Sequence, residues 1–162
     1  MILLDANAFV EASRLYYSFR IAPGYWGWLV EKFEAGEVAS IEAVYDEISA
    51  GHGDLVDWAR HPALDGFWMP DTAESLAAAG GLAEWAAHPD RPFKQSAVEE
   101  FMASADLRLA AQACSMGATV ATRETSDPGC RKRVKLPDAA GAVGVDCVQP
   151  FVAYERLGLT LS

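Results

Sequence analysis

Histidine and cysteine are scarce in this chain, three of each in 162 residues, and neither is arranged to hold zinc. Cys114, Cys130 and Cys147 form no C-x-x-C pair and share no Cys/His spacing. They read as reduced thiols of a cytoplasmic protein, not as a disulfide frame. His52, His61 and His88 lie scattered in polar or turn-like contexts without a partner at a useful spacing. Long apolar runs are missing too. No stretch approaches the roughly 18 residues that a membrane span needs, and no charged start leads into an apolar signal segment. Neither export nor membrane insertion is expected. Repeats, linkers and low-complexity tracts are also lacking, which leaves a single domain over residues 1–162 with room for a real core. Positive charge is the last shortage. Thirteen basic residues against 23 acidic ones give a formal charge of −10, which excludes a protein that coats nucleic acid with its whole surface. Nucleic acid held locally remains open, because a set of metal-binding carboxylates inflates the negative count of the bare sequence.

What is present is a regular alternation of short apolar runs and amphipathic stretches. "ILLD" at positions 2–5 ends in a polar turn, as a buried parallel strand does, and a helix should follow from Ala6 or Asn7. "PGYWGWLVEKFEAG" begins with Pro-Gly and closes on Gly36, conventional punctuation for a second helix. "EVASIEAVYDEISAG" reads as a short extended piece and then a helix. "DLVDWARH" is helical and "GFWMP" a short strand closed by Pro70. Asp71 to His88 is alanine-rich and helical, with a bend or break expected at Gly80-Gly81. "KQSAVEEFMASADLRLAAQACSMG" holds two helices or one interrupted near Ser104. "ATVAT" and "VDCV" are the last strands, and a helix starts at Pro150. This pattern predicts a three-layer α/β domain, a small central parallel sheet flanked by helices. In such sheets ligands gather outside the carboxyl ends of the strands.

Four carboxylates stand out against that frame. Asp5 ends the first strand, and Glu124 stands two residues after Thr122 at the end of "ATVAT". Glu47 shares a helix face with Val44 and Ile48, and Asp106 opens a strongly apolar helix. Each has an ordinary reading taken singly: Asp5 and Asp106 as helix caps, Glu47 as a boundary residue paired with a base, Glu124 as a loop acid. Converging in one pocket, the four would repel one another and resist full ionisation unless cations offset them. Hard divalent ions such as Mg²⁺ or Mn²⁺ do so through oxygen ligands, and such clusters serve phosphodiester cleavage.

The blocks "MILLDANAFVEA", "VYDEI", "ADLRLAAQA" and "ATVATRE", in that order and over nearly the whole chain, resemble the four acidic blocks of PIN-domain nucleases. That family includes the VapC-type toxins of bacterial toxin–antitoxin modules. The stretch "YYSFRIAPGYWGWL" and the "RVKLP" end resemble a less characterised PIN-like branch. The resemblance implies a PIN-like fold and a metal-dependent ribonuclease. Asp5, Glu47, Asp106 and Glu124 would hold one or two Mg²⁺ or Mn²⁺ ions, with Asn7 and Thr122 as polar support. It also implies an RNA substrate and a small antitoxin protein as partner. Glu124 departs from the Asp common at the fourth position, which bears on a second metal site; Asp127 is a weaker stand-in.

The basic residues are uneven. Arg123, Arg131, Lys132, Arg133 and Lys135 crowd into "RETSDPGCRKRVK", directly after the last acidic block, where they could hold RNA phosphates beside the acids. The plain alternative is a solvated loop. Tyr16, Tyr17, Tyr25, Trp26 and Trp28 suggest a packed helix pair or a homodimer surface, or stacking on unpaired bases. Two rival functions remain. An aspartyl-phosphate enzyme would carry a second Asp two residues after the first, where Asn7 stands. A catalytically inactive PIN-like scaffold could bind RNA or a partner protein, although all four positions keep a carboxylate.

Overall fold

The structure, a computed structural model, describes residues 1–161. Strand β1 (Ile2–Leu4) leads through Asp5 into helix α1 (Ala6–Glu11), which runs on as a π-helical turn over Ala12–Tyr16. Helix α2 (Pro23–Glu34) precedes β2 (Val38–Ile41), followed by α3 (Glu42–Ser49), α4 (Asp54–Ala59) and β3 (Trp68–Met69). Three helices, α5 (Ala73–Ala87), α6 (Gln95–Ala103) and α7 (Ala105–Met116), then lead to β4 (Thr119–Ala121). Helix α8 (Leu136–Ala142), β5 (Cys147–Val148) and α9 (Pro150–Arg156) complete the chain. Among the described residues no helix is long and apolar enough to cross a membrane.

All strand pairs are parallel, in the order β3-β2-β1-β4-β5. Leu3 stands level with Ala39 of β2 on one side and Val120 of β4 on the other. The chain therefore builds outward from β1 to β2 and β3, then crosses back to lay β4 and β5 on the far side. Right-handed crossovers put the connections of these two halves on opposite faces of the sheet. The packing agrees: α5, α7 and α8 touch one another, and α2 lies on β2. Buried on both faces, β1 is continuously apolar, as a central parallel strand must be.

Three local expectations are settled here. The helix over Ala73–Ala87 passes through Gly80-Gly81 without a break. A Cβ at either glycine would meet nothing within 4 Å, and the helix is held by its packing on α7 and by a Thr72–Ser75 capping box. The junction at Ser104 is real, separating α6 from α7. The aromatic cluster is mostly interior. Tyr25 is fully buried, stacks on Tyr17 at 4.4 Å, and donates a 2.7 Å hydrogen bond to the hydroxyl of Tyr154 on α9. Only Tyr16 of the five is exposed.

Replacing Tyr154 by Phe should strand the buried Tyr25 hydroxyl and lower stability by about 1–3 kcal/mol, the cost of an unpaired buried polar group. Urea unfolding of the two proteins measures it; an unchanged midpoint would show that the hydroxyl pair contributes nothing.

Candidate active site

Strand order decides where the site lies. The chain leaves β1 toward β2 but returns on the other side at β4, so the ends of β1 and β4 form the switch point of the sheet, the usual ligand crevice. Asp5 ends β1 and Thr122 follows β4, tied by the Asp5 backbone N–H to the Ala121 carbonyl at 3.0 Å. The Thr122 hydroxyl donates to Asp5 Oδ2 at 2.7 Å. The Thr122 Oγ1 accepts in turn from Asn7 Nδ2 at 3.3 Å and from the Glu124 N–H at 3.1 Å. Asn7 Oδ1 in turn accepts the Arg123 N–H at 3.1 Å. Asn7 and Thr122 thus form a brace between two strand ends. Asp5 is also the N-cap of α1, accepting the Ala6 N–H on Oδ1. Its cap duty and its position at the crevice coexist.

Asp106 lies in the first turn of α7, but the cap of that helix is Ser104. Asp106 is therefore free of the capping role a sequence reader would give it. Its close partner among the described residues is Arg133, whose Nη2 stands 3.7 Å from Oδ2. Burial, followed by the charges of Asp5 and Glu124, pushes its carboxyl up to about 7, against a smaller lowering by Arg133. Asp5 is raised to about 6, chiefly by burial, with Glu124 and Glu47 adding to the rise and Thr122 opposing it. Asp5 and Asp106 thus both feel the charges of Glu124 and Glu47.

Glu124 is more heavily engaged. Arg133 Nη2 lies 2.6 Å from Oε1, and the backbone N–H of Leu136, the first residue of α8, donates to Oε2 at 2.9 Å. This glutamate anchors the basic loop to the strand end. Glu47 is exposed, not set into the apolar face of α3; it stands beside the buried Val44 and Ile48 and reaches the site through its charge. Asp127 is exposed within the loop, its N–H bonded to Asp138.

The five basic residues divide. Arg133 bridges Asp106 and Glu124, and Arg123 pairs with Glu11 at 2.8 Å while its Nη1 reaches Gln149 at 3.5 Å. Arg131 and Lys132 are exposed and Lys135 half-buried. Gln149, whose amide also reaches the Glu124 carbonyl at 3.4 Å, carried no signal in the sequence. Cys147, on β5 near these acids, has its thiol pushed up to about 12 by burial and then by the Asp5 charge, which leaves it protonated at neutral pH.

The donor set suits a hard divalent cation: carboxylate oxygens in a crevice with excess negative charge, no thiolate and no imidazole. Asp5 and Asp106 are the residues that could hold one, with Glu47 and Glu124 adjoining. As the side chains stand, no three His, Cys, Asp or Glu side chains among the described residues form a metal-coordinating group. The Arg133 guanidinium supplies the compensating positive charge instead.

Residues 2–161 match the model of a family described as a domain of unknown function (DUF4411). Among solved structures, the crystal structure of FitAcB from Neisseria gonorrhoeae is similar, with a TM-score of 0.58 and 20% sequence identity. The match covers 93% of this chain and 99% of that one. Likeness at this identity speaks to the fold alone, and it bears out the α/β arrangement of a small parallel sheet flanked by helices. No curated protein matches the chain.

The raised carboxyls give a signed pH dependence. The folded chain keeps protons on Asp5 and Asp106 that the unfolded chain has released above its ordinary value of 3.8. Their contribution to stability should therefore fall as pH rises from about 4 to about 7 and stay low above it. Denaturant unfolding in EDTA across that range, compared with Asp106→Asn, measures it. The substitution should flatten the decline; a parallel decline in both proteins would contradict it.

Proposed function

Taking as premise that the chain belongs to the DUF4411 family, we propose that it is a metal-dependent endoribonuclease, the toxin of a toxin–antitoxin module. The observation that carries this reading is Asp106: a largely buried carboxylate at the switch-point crevice, coupled to Asp5, with no structural duty in its own helix. Buried acids without a structural role are expensive to keep and mark functional sites. The RNA substrate and the antitoxin partner come from the resemblance of the four acidic blocks to PIN-domain toxins.

Under this reading Asp5, Asp106 and Glu47 hold Mg²⁺ or Mn²⁺, with Glu124 at the edge. A bound ion supplies the charge that favours attack on a phosphodiester. The chain's own contributions are geometric. Thr122 and Asn7 hold Asp5 in one orientation, since Thr122 fixes Oδ2 and the Ala6 N–H fixes Oδ1. Glu124, tied to Leu136, sets the distance of the basic loop from the crevice. Arg131, Lys132 and Lys135 would meet backbone phosphates, which position an RNA without reading its sequence. Arg133 must leave Asp106 for an ion to enter and would then be free to do the same.

A second reading has an observation in its favour. Arg133 already neutralises Asp106 and Glu124, as it would in a PIN-like scaffold that binds RNA or protein and cuts nothing.

One assay separates the two. Generic single-stranded RNA should be cleaved in Mn²⁺ and spared in excess EDTA. Asp106→Asn should lower the rate by at least about a hundredfold, because it removes a charge partner of the ion at unchanged size. Cleavage that persists in EDTA, or in Asp106→Asn, would refute the mechanism; no cleavage in any metal would favour the scaffold.

A further inference from the structure

A cleft of about 380 Å³ opens between the π-helical turn after α1 and the α3–α4 corner. Its lining includes Arg14, Phe19, Arg20, Glu47, His52 and Asp54. Glu47 is the link, since it lines the cleft and also acts by charge on Asp5 and Asp106. Topology gives this position meaning. The cleft is lined by the segment that follows β1 and by the helices that follow β2, whereas the basic loop follows β4, on the other side of β1 in the sheet.

Arg14 and Arg20 are exposed, and among the described residues neither forms an ion pair. Two free guanidinium groups in one cleft are conspicuous in a chain of charge −10, particularly since Arg123 and Arg133 of the basic loop are already paired with carboxylates. Both arginines have fixed backbone settings. Arg14 rides on the π-helical turn, a rare conformation that recurs at functional sites. Arg20 lies in a turn closed by the Ile21 and Ala22 N–H groups on the Ser18 carbonyl, at 3.0 and 2.9 Å. Between them Phe19 stacks on Trp26, centroids 4.0 Å apart and planes 11° apart, and Trp26 is itself anchored by its indole N–H on the Tyr17 carbonyl. The ring is only partly buried, so a rigidly held aromatic lines the same cleft as the two cations. Glu47 and Asp54, the latter in the first turn of α4, are the opposing charges of the lining; the first belongs to the acidic site.

We propose that this cleft is a subsite for single-stranded RNA, in which Arg14 and Arg20 hold backbone phosphates and Phe19 stacks on an unpaired base. The inference rests on the nuclease reading above and deepens it: the strand crosses the crevice, with the basic loop holding one side and this cleft the other. Cations beside a partly exposed aromatic ring are what single strands require, and the volume fits a nucleotide-sized ligand.

The test is fluorescence anisotropy of a short labelled single-stranded RNA, 2′-O-methylated against cleavage, with the full chain in EDTA. The double substitution Arg14→Gln/Arg20→Gln should weaken binding about tenfold and flatten its log–log salt dependence by about 1.4, two contacts at roughly 0.7 each. Phe19→Leu, which keeps an apolar side chain on Trp26, should weaken binding at least about fivefold without altering the salt slope. Arg91→Gln/Arg156→Gln, neutralising two arginines outside the cleft, is the control for net charge. The subsite is overturned if the control pair weakens binding as much as the cleft pair, or if the wild-type chain binds no RNA. The two proposals fail separately. RNA bound through the cleft but never cut in Mn²⁺ defeats the nuclease alone, whereas RNA cut normally by a cleft variant of unchanged affinity defeats the subsite alone.

Discussion

The hydrogen bond from Thr122 to Asp5 joins the ends of two strands separated by more than a hundred residues of chain, and the site is arranged around it. It exists because β4 returns beside β1 and not beyond β3. Once the strand ends are adjacent, the polar groups just past them are forced together in a place shielded on both faces. The Asn7 amide and the Glu124 N–H then bond to Thr122, and the Arg123 N–H to Asn7. The result is a carboxylate with fixed orientation and poor access to water, which is why its proton is held more tightly than usual.

The same confinement creates a charge problem, and Arg133 is the answer in the folded chain. Its guanidinium meets Asp106 and Glu124 while remaining about half exposed. A half-exposed cation is a weaker and more easily displaced partner than a buried one, because water competes for it. The loop that carries it is tethered by Glu124 to the start of α8, so the guanidinium can withdraw without the loop leaving the crevice. Basic residues otherwise lie on both sides of Asp5: Arg131 and Lys132 after β4, Arg14 and Arg20 before β2.

Much of this was legible from the sequence, for physical reasons. Gly36, Gly117 and the Pro-led starts of α2 and α9 mark element ends by backbone geometry alone, so those elements are found where the punctuation puts them, whereas α8 was not foreseen. The carboxylates at strand ends follow from the general placement of ligands in parallel sheets. What was hidden depends on tertiary packing. Gly80-Gly81 would weaken an isolated helix by about 1 kcal/mol each, a penalty that the packing of α5 on α7 outweighs. Glu47 sits at the edge of its apolar face, where a helical wheel cannot separate buried from exposed. The partnership of Arg133 with Asp106 spans 27 positions, and nothing in a run of basic residues reveals that one of them is spoken for. Arg14, Phe19 and Arg20 carry no signal of their own in the sequence and come together only at a cleft of the folded chain.

We propose above all that the Asp5–Asp106 crevice is built for a divalent cation. Anomalous diffraction from crystals grown with Mn²⁺ tests it most directly. The account predicts a manganese peak between the Asp5 and Asp106 carboxylates, with Arg133 withdrawn from Asp106. A crevice still occupied by the guanidinium at saturating Mn²⁺, with no peak against either aspartate, would contradict it.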